Sequence, residues 1–141
     1  VYTKLTNAVI IGVGHLGRAL LNYGGFVEWG LQITAGIDNN PALVGTKVNN
    51  KPIYAVNDLA KVVEETNAQI AIITVPKEHA QALVDYAVSV GIKAIWNFAP
   101  IHIRVPKDVV LQNENMASSL SLLNYNLNLK TSKEKRKKPK K

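Results

Sequence analysis

A chain of 141 residues with 47% hydrophobic content is long enough for one domain with its own core. It has no cysteine, no apolar run near the ~18 residues of a membrane span and no signal-peptide pattern, which excludes disulfides and thiolate metal sites and predicts a cytoplasmic protein with no membrane partner. Its net charge of +7 is confined to one end, because residues 130–141 hold eight of the 17 basic residues and one of the ten acids, leaving nine of each in residues 1–129. The expected organisation is therefore one folded unit over 1–129 and a disordered basic tail over 130–141. That tail offers either a weak contact with a polyanion or only a solubilising end. Starting at Val1, a few residues before the first apolar run, the chain reads as a fragment of a longer protein.

Residues 8–11 (Ala-Val-Ile-Ile) read as a strand that ends in Gly12-Val13-Gly14-His15-Leu16-Gly17, and a helix over 16–23 follows. Strand, glycine turn and helix start are the context that the dinucleotide fingerprint requires. Gly12 allows the sharp turn, Gly14 lets backbone approach a pyrophosphate, and Gly17 lets helix pack on strand. Phosphates would sit on the free N–H groups of the helix start. Residues 31–38 read as a second strand ending in Asp38, which lies 21 residues after Gly17. A carboxylate there suits the adenosine ribose hydroxyls, although Asp38 could equally cap the turn Asp-Asn-Asn-Pro. Asp38 would repel a 2′-phosphate, and Asn39 and Asn40 follow it where an arginine would be needed, so NAD is favoured over NADP.

Further along, residues 52–55 predict a short strand, and Asn57 a cap for a helix over 58–66. Residues 70–75 predict a buried strand stopped by Pro76, 78–90 an amphipathic helix closed by Gly91, and 92–96 and 109–111 two more strands. Residues 116–129 predict a last helix with Leu120, Leu123 and Leu127 along one side. Apolar strands alternating with amphipathic helices indicate an α/β fold, a Rossmann-type doubly wound, mostly parallel sheet. Ligands lie at the carboxyl ends of such strands. That directs attention to the glycine loop, to Thr74-Val75-Pro76, and to Asn97-Phe98-Ala99-Pro100. Thr74 reads either as a site residue or as a hydroxyl bonded to backbone, Phe98 either as site or core, and Asn97 as a reader of a ligand amide. No catalytic residues are expected: His15 sits in the glycine loop, His79 at a helix start and His102 in an exposed stretch, with no carboxylate placed to orient any of them as a base.

The segments Gly12-Val13-Gly14-His15-Leu16-Gly17-Arg18-Ala19-Leu20-Leu21-Asn22-Tyr23, Ile73-Thr74-Val75-Pro76, Gly91-Ile92-Lys93-Ala94-Ile95-Trp96-Asn97-Phe98-Ala99-Pro100 and Val105-Pro106-Lys107-Asp108-Val109 resemble those of the Rex family of bacterial redox-sensing transcriptional repressors. The resemblance runs in order from residue 7 to about 127. It implies a homodimeric domain that binds NADH and NAD⁺, with the last helix exchanged between subunits near the partner's nicotinamide. It also implies that operator DNA is bound by an N-terminal winged-helix domain absent from this chain. The family has an Asp and a large apolar residue at the start of the last helix, and that Asp joins a polar network with the tyrosine matching Tyr23 and a basic residue of the DNA-binding domain. Asn115-Met116 aligns there, which puts Met116 at the nicotinamide and leaves a neutral Asn that cannot make the ion pair. Two other readings of the residues are a CoA-binding Rossmann domain of a ligase subunit and a fragment of an NAD-dependent oxidoreductase.

Overall fold

The computed structural model describes residues 4–114 and 116–137, with side chains assigned except at 116–119 and 134–137. Among the described residues, seven strands form one sheet: β1 (Thr6–Ile11), β2 (Leu31–Ile37), β3 (Lys47–Val48), β4 (Lys51–Tyr54), β5 (Ile70–Ile73), β6 (Ala94–Asn97) and β7 (Val110–Asn113). The order across the sheet is β3-β4-β2-β1-β5-β6-β7. All pairings are parallel except β3–β4. The helices are α1 (His15–Asn22), α2 (Leu59–Thr66), α3 (Lys77–Ser89) and α4 (Met116–Lys137). This is the doubly wound α/β architecture.

The central strand explains the layering. Ala8, Val9, Ile10 and Ile11 are at most 1% exposed, as an apolar strand covered on both faces must be. Val9 and Ile11 point into a core completed by Leu59, Val62, Val84 and Ala87 of α2 and α3. Ala8 and Ile10 point the other way, against Val13 and Leu21 beside α1. The chain builds outward from β1 first to β2 and β4, then crosses to β5, β6 and β7. The reversal opens a crevice where the loops after β1 and β5 diverge.

The structure departs from the sequence expectations in three places. A hairpin, β3–β4, precedes the expected strand. Its two-residue turn is Asn49-Asn50, both at positive φ, a pair that favours primed hairpin turns. Asn57 does not cap α2. It lies inside a 3-10 turn, Val56–Asp58, and no side chain caps the helix that follows.

The third departure concerns the last helix, which runs on to Lys137, eight residues into the stretch expected to be disordered. Lys, Arg and Glu are good helix formers, and cations near a helix C-terminus complement its dipole, so an established helix propagates through them. Along α4, Leu120, Leu123 and Leu127 form the expected stripe. Leu122, Tyr125 and Leu129 form a second one, roughly on the opposite side at ~100° per residue. These six side chains are 45–64% exposed.

Candidate nucleotide-binding site

The register places the expected loops side by side. Ile37, Ile11, Ile73 and Asn97 lie in one row across β2, β1, β5 and β6. The chain therefore leaves all four strands at the same level, and the segments starting at Gly12, Asp38, Thr74 and Phe98 converge on one edge of the sheet.

The glycine turn is held from both sides. The Gly12 N–H donates to the Ile37 carbonyl (2.8 Å), and Gly12 sits at φ +105°. The Thr74 hydroxyl donates to the Gly12 carbonyl (2.6 Å), while the Thr74 N–H donates to that of Ile11 (3.0 Å). Of the two readings of Thr74, the backbone-bonded hydroxyl is the one observed, and it fixes the turn. A side chain on Gly17 would collide with the Gly12 carbonyl, so helix and turn meet without room for a Cβ. Gly14 differs: a Cβ there would meet nothing within 4 Å. The space above Gly14 is free, and the N–H groups of His15, Leu16 and Gly17, in the first turn of α1, have no partner within the helix. A side chain on Gly14 would stand in this open space, and a pyrophosphate there suits the free donors beside it. His15 is exposed beside it and Leu16 half-buried. Val13 offers only backbone, since its side chain is 1% exposed in the core.

Asp38 is tied into the turn. Its Oδ2 accepts the Val13 N–H (2.7 Å) and its Oδ1 the Asn40 N–H (2.8 Å). The carboxylate thus joins the glycine loop to the end of β2 and caps its own turn. Each oxygen keeps a further acceptor site, which leaves capacity for a ribose diol.

Asn97 has a structural duty that its position at a strand end does not announce. Its side chain is 1% exposed and bonded within the protein. Its Nδ2 donates toward the carbonyls of Ala99 (3.1 Å) and Ile101 (3.3 Å) and to Asn113 Oδ1 (3.1 Å), and its Oδ1 accepts the Ala99 N–H (2.9 Å). The loop after β6 folds back over the strand end, and its buried polar groups must find partners; Asn97 supplies them. It is a positioning residue for Phe98-Ala99-Pro100. Asn113 shares that task, and sequence spacing gave no sign of it because the β6–β7 register brings together residues 16 apart.

Ala99 is buried and Pro100 exposed. Phe98 packs on Trp96 with ring centroids 4.9 Å apart and stays half-buried. Val75 is half-buried and Pro76 exposed at the start of α3. Asn115 lies outside the described residues, as does the side chain of Met116, although Met116 begins α4. His15, His79 and His102 are all exposed, and among the described residues no three His, Asp or Glu side chains are grouped as metal ligands. A cavity of about 430 Å³, lined by Phe26, Trp29 and Trp96, lies at the amino ends of the strands, away from this edge.

The family described as CoA binding domain matches residues 3–101. The chain belongs to that family. Among relatives with curated names, the redox-sensing transcriptional repressor Rex of Bacteroides thetaiotaomicron is 46% identical over 127 residues, 90% of this chain and 58% of that protein. The crystal structure of RSP, a Rex-family repressor, in complex with beta-NADH matches with a TM-score of 0.86 at 38% identity, covering 95% of this chain and 65% of the other. The same repressor with beta-NAD⁺ and operator DNA matches at 0.85 and 38%, covering 95% and 62%. The likeness to Rex thus holds in sequence and in fold across nearly the whole chain. The chain spans a little under three fifths of the length of that Bacteroides repressor. These relatives carry the name of a repressor, not of an enzyme.

Proposed function

We propose that this chain is the NAD(H)-sensing and dimerisation part of a redox-responsive transcriptional repressor acting in the cytoplasm. Operator DNA would be read by a domain outside it. The observation that carries the reading is the open space above Gly14 beside the free N–H groups of α1, at the sheet edge where the loops after β1, β2, β5 and β6 leave at one level, in a chain with Rex-type sequence. The pyrophosphate would lie on the N–H groups of His15, Leu16 and Gly17, and the adenosine ribose on Asp38. The nicotinamide end would run past Thr74-Val75-Pro76 toward Phe98-Ala99-Pro100, held in place by Asn97. When bound, the dinucleotide supplies the redox signal. The protein's part is to bind and orient it.

Dimerisation would proceed through α4. Its two apolar stripes are exposed in the single chain. On the α1 side of the sheet, Ile70, Trp96 and Phe98 are only partly buried. A helix from a second copy laid on that side would cover those residues and one of its own stripes, leaving the other stripe for a second surface of the dimer.

Calorimetric titration tests the ligand. NADH is expected to bind at least ~10-fold more tightly than NADPH, about 1.4 kcal/mol, because the 2′-phosphate would meet the Asp38 carboxylate. Equal affinities would contradict this reading. Binding of CoA in place of NADH would favour the ligase-type reading, which the family's description admits. Asp38→Ala is expected to weaken NADH binding by about 1–3 kcal/mol through the lost charge-assisted bonds. It should also lower the melting temperature of the free protein, because the Val13 N–H loses its acceptor. Unchanged values of both would place the ribose elsewhere.

A further inference from the structure

The excess charge of the chain has a definite position on the fold. Residues 116–129 of α4 contain no charged residue, and the eight basic residues of 130–141 begin where the leucines stop. Apolar and basic parts thus follow one another along one helix. Membrane-surface helices set cations on one face and apolar residues on the other at the same level; α4 does not. A favourable contact with the helix dipole accounts for cations in the last turn only, and the basic stretch is longer than that.

We propose that the basic end of α4 docks on the phosphate backbone of duplex DNA and does not read its bases. Lys130 and Lys133 have exposed side chains, and with Lys137 they stand at helical spacing i, i+3, i+7. From Lys130 to Lys137 the helix rises ~10 Å, which spans about three phosphates of one strand at ~3.4 Å each. Residues 1–129 are neutral, so they neither add to this attraction nor oppose it. With the apolar part of α4 engaged between protein surfaces, the basic part would project beyond them as an auxiliary grip. The proposal stands on charge and helix position, independently of the nucleotide site.

Fluorescence anisotropy of this chain with two labelled duplexes of unrelated sequence tests it, in a salt series from 50 to 200 mM. Equal affinity for the two is expected, with a log–log salt slope of about −4 to −7 from four to eight neutralised phosphates. Replacing Lys133, Lys135, Arg136 and Lys137 by Gln should weaken binding at least ~10-fold at the lowest salt and flatten the slope by about 3 to 4. Lys47→Gln with Lys51→Gln, on the neutral part, should change nothing. A circular-dichroism melt of each variant separates lost charge from lost fold. No DNA binding at 50 mM salt, binding that survives loss of the four charges, discrimination between the duplexes, or stronger attachment to phosphatidylserine vesicles than to DNA would each overturn the proposal.

Discussion

Gly14→Val is expected to reduce NADH affinity at least ~100-fold, about 2.7 kcal/mol, while the protein stays folded. The two halves of this result have separate causes. The backbone at Gly14, φ −85° and ψ −153°, is extended and open to an L side chain, and a Cβ there meets no protein atom within 4 Å. The folded state therefore loses only the preference for Gly over Val at a helix N-cap, about 1 kcal/mol or less, or a few degrees of melting temperature. The valine methyls would occupy the space that the pyrophosphate needs against the first turn of α1. Gly17→Val is the opposing control. Its side chain runs into the Gly12 carbonyl, so it should cost about 3 kcal/mol or more in stability before any ligand is added. Isothermal calorimetry with thermal melts reads both. Full NADH affinity in Gly14→Val would move the phosphates to another part of the protein.

Leu123→Glu combined with Leu127→Glu is expected to convert a dimer to monomers in sedimentation velocity at micromolar concentration. Both leucines are more than half exposed on one stripe of α4, so the single chain loses little by the change. In a dimer each would be buried, worth about 1.5–3 kcal/mol apiece, and each new carboxylate would be desolvated without a partner. Ser121→Glu with Asn124→Glu, on the polar flank between the stripes, should leave the dimer intact. A double leucine variant that still sediments as a dimer would place the interface outside α4, as would a dimer formed by a chain ending at Asn113.

The elements that set up the site were legible where the residue pattern is local. Glycines at fixed spacing after an apolar run, and an acid at the end of the next one, are short-range signals, and the strand ends after β1, β2 and β5 are where they indicate. The structural duty of Asn97 is not legible in the sequence because it depends on a neighbour in space. A polar residue ending an apolar strand looks ligand-facing until the loop carbonyls and Asn113 are seen to use every donor it has. Asp38 was read as ribose acceptor or turn cap; its bond to Val13, across 25 residues, adds a structural duty that spacing does not reveal. The hairpin at Asn49-Asn50 escaped notice because its first strand is two residues long. The far end of α4 escaped because charge density argues for disorder while helix propensity and the dipole argue the other way.

The most direct test of a dinucleotide site at the carboxyl edge of the sheet is an amide chemical-shift titration of the ¹⁵N-labelled protein with NADH. The predicted result is saturable shifts concentrated at Gly12 to Gly17, Asp38 to Asn40, Thr74, Val75, Phe98 and Ala99, with little change around Thr6, Trp29 and Ile70 at the amino ends of the strands. Shifts centred instead on the cavity beside Phe26, Trp29 and Trp96, or none at saturating NADH, would contradict it.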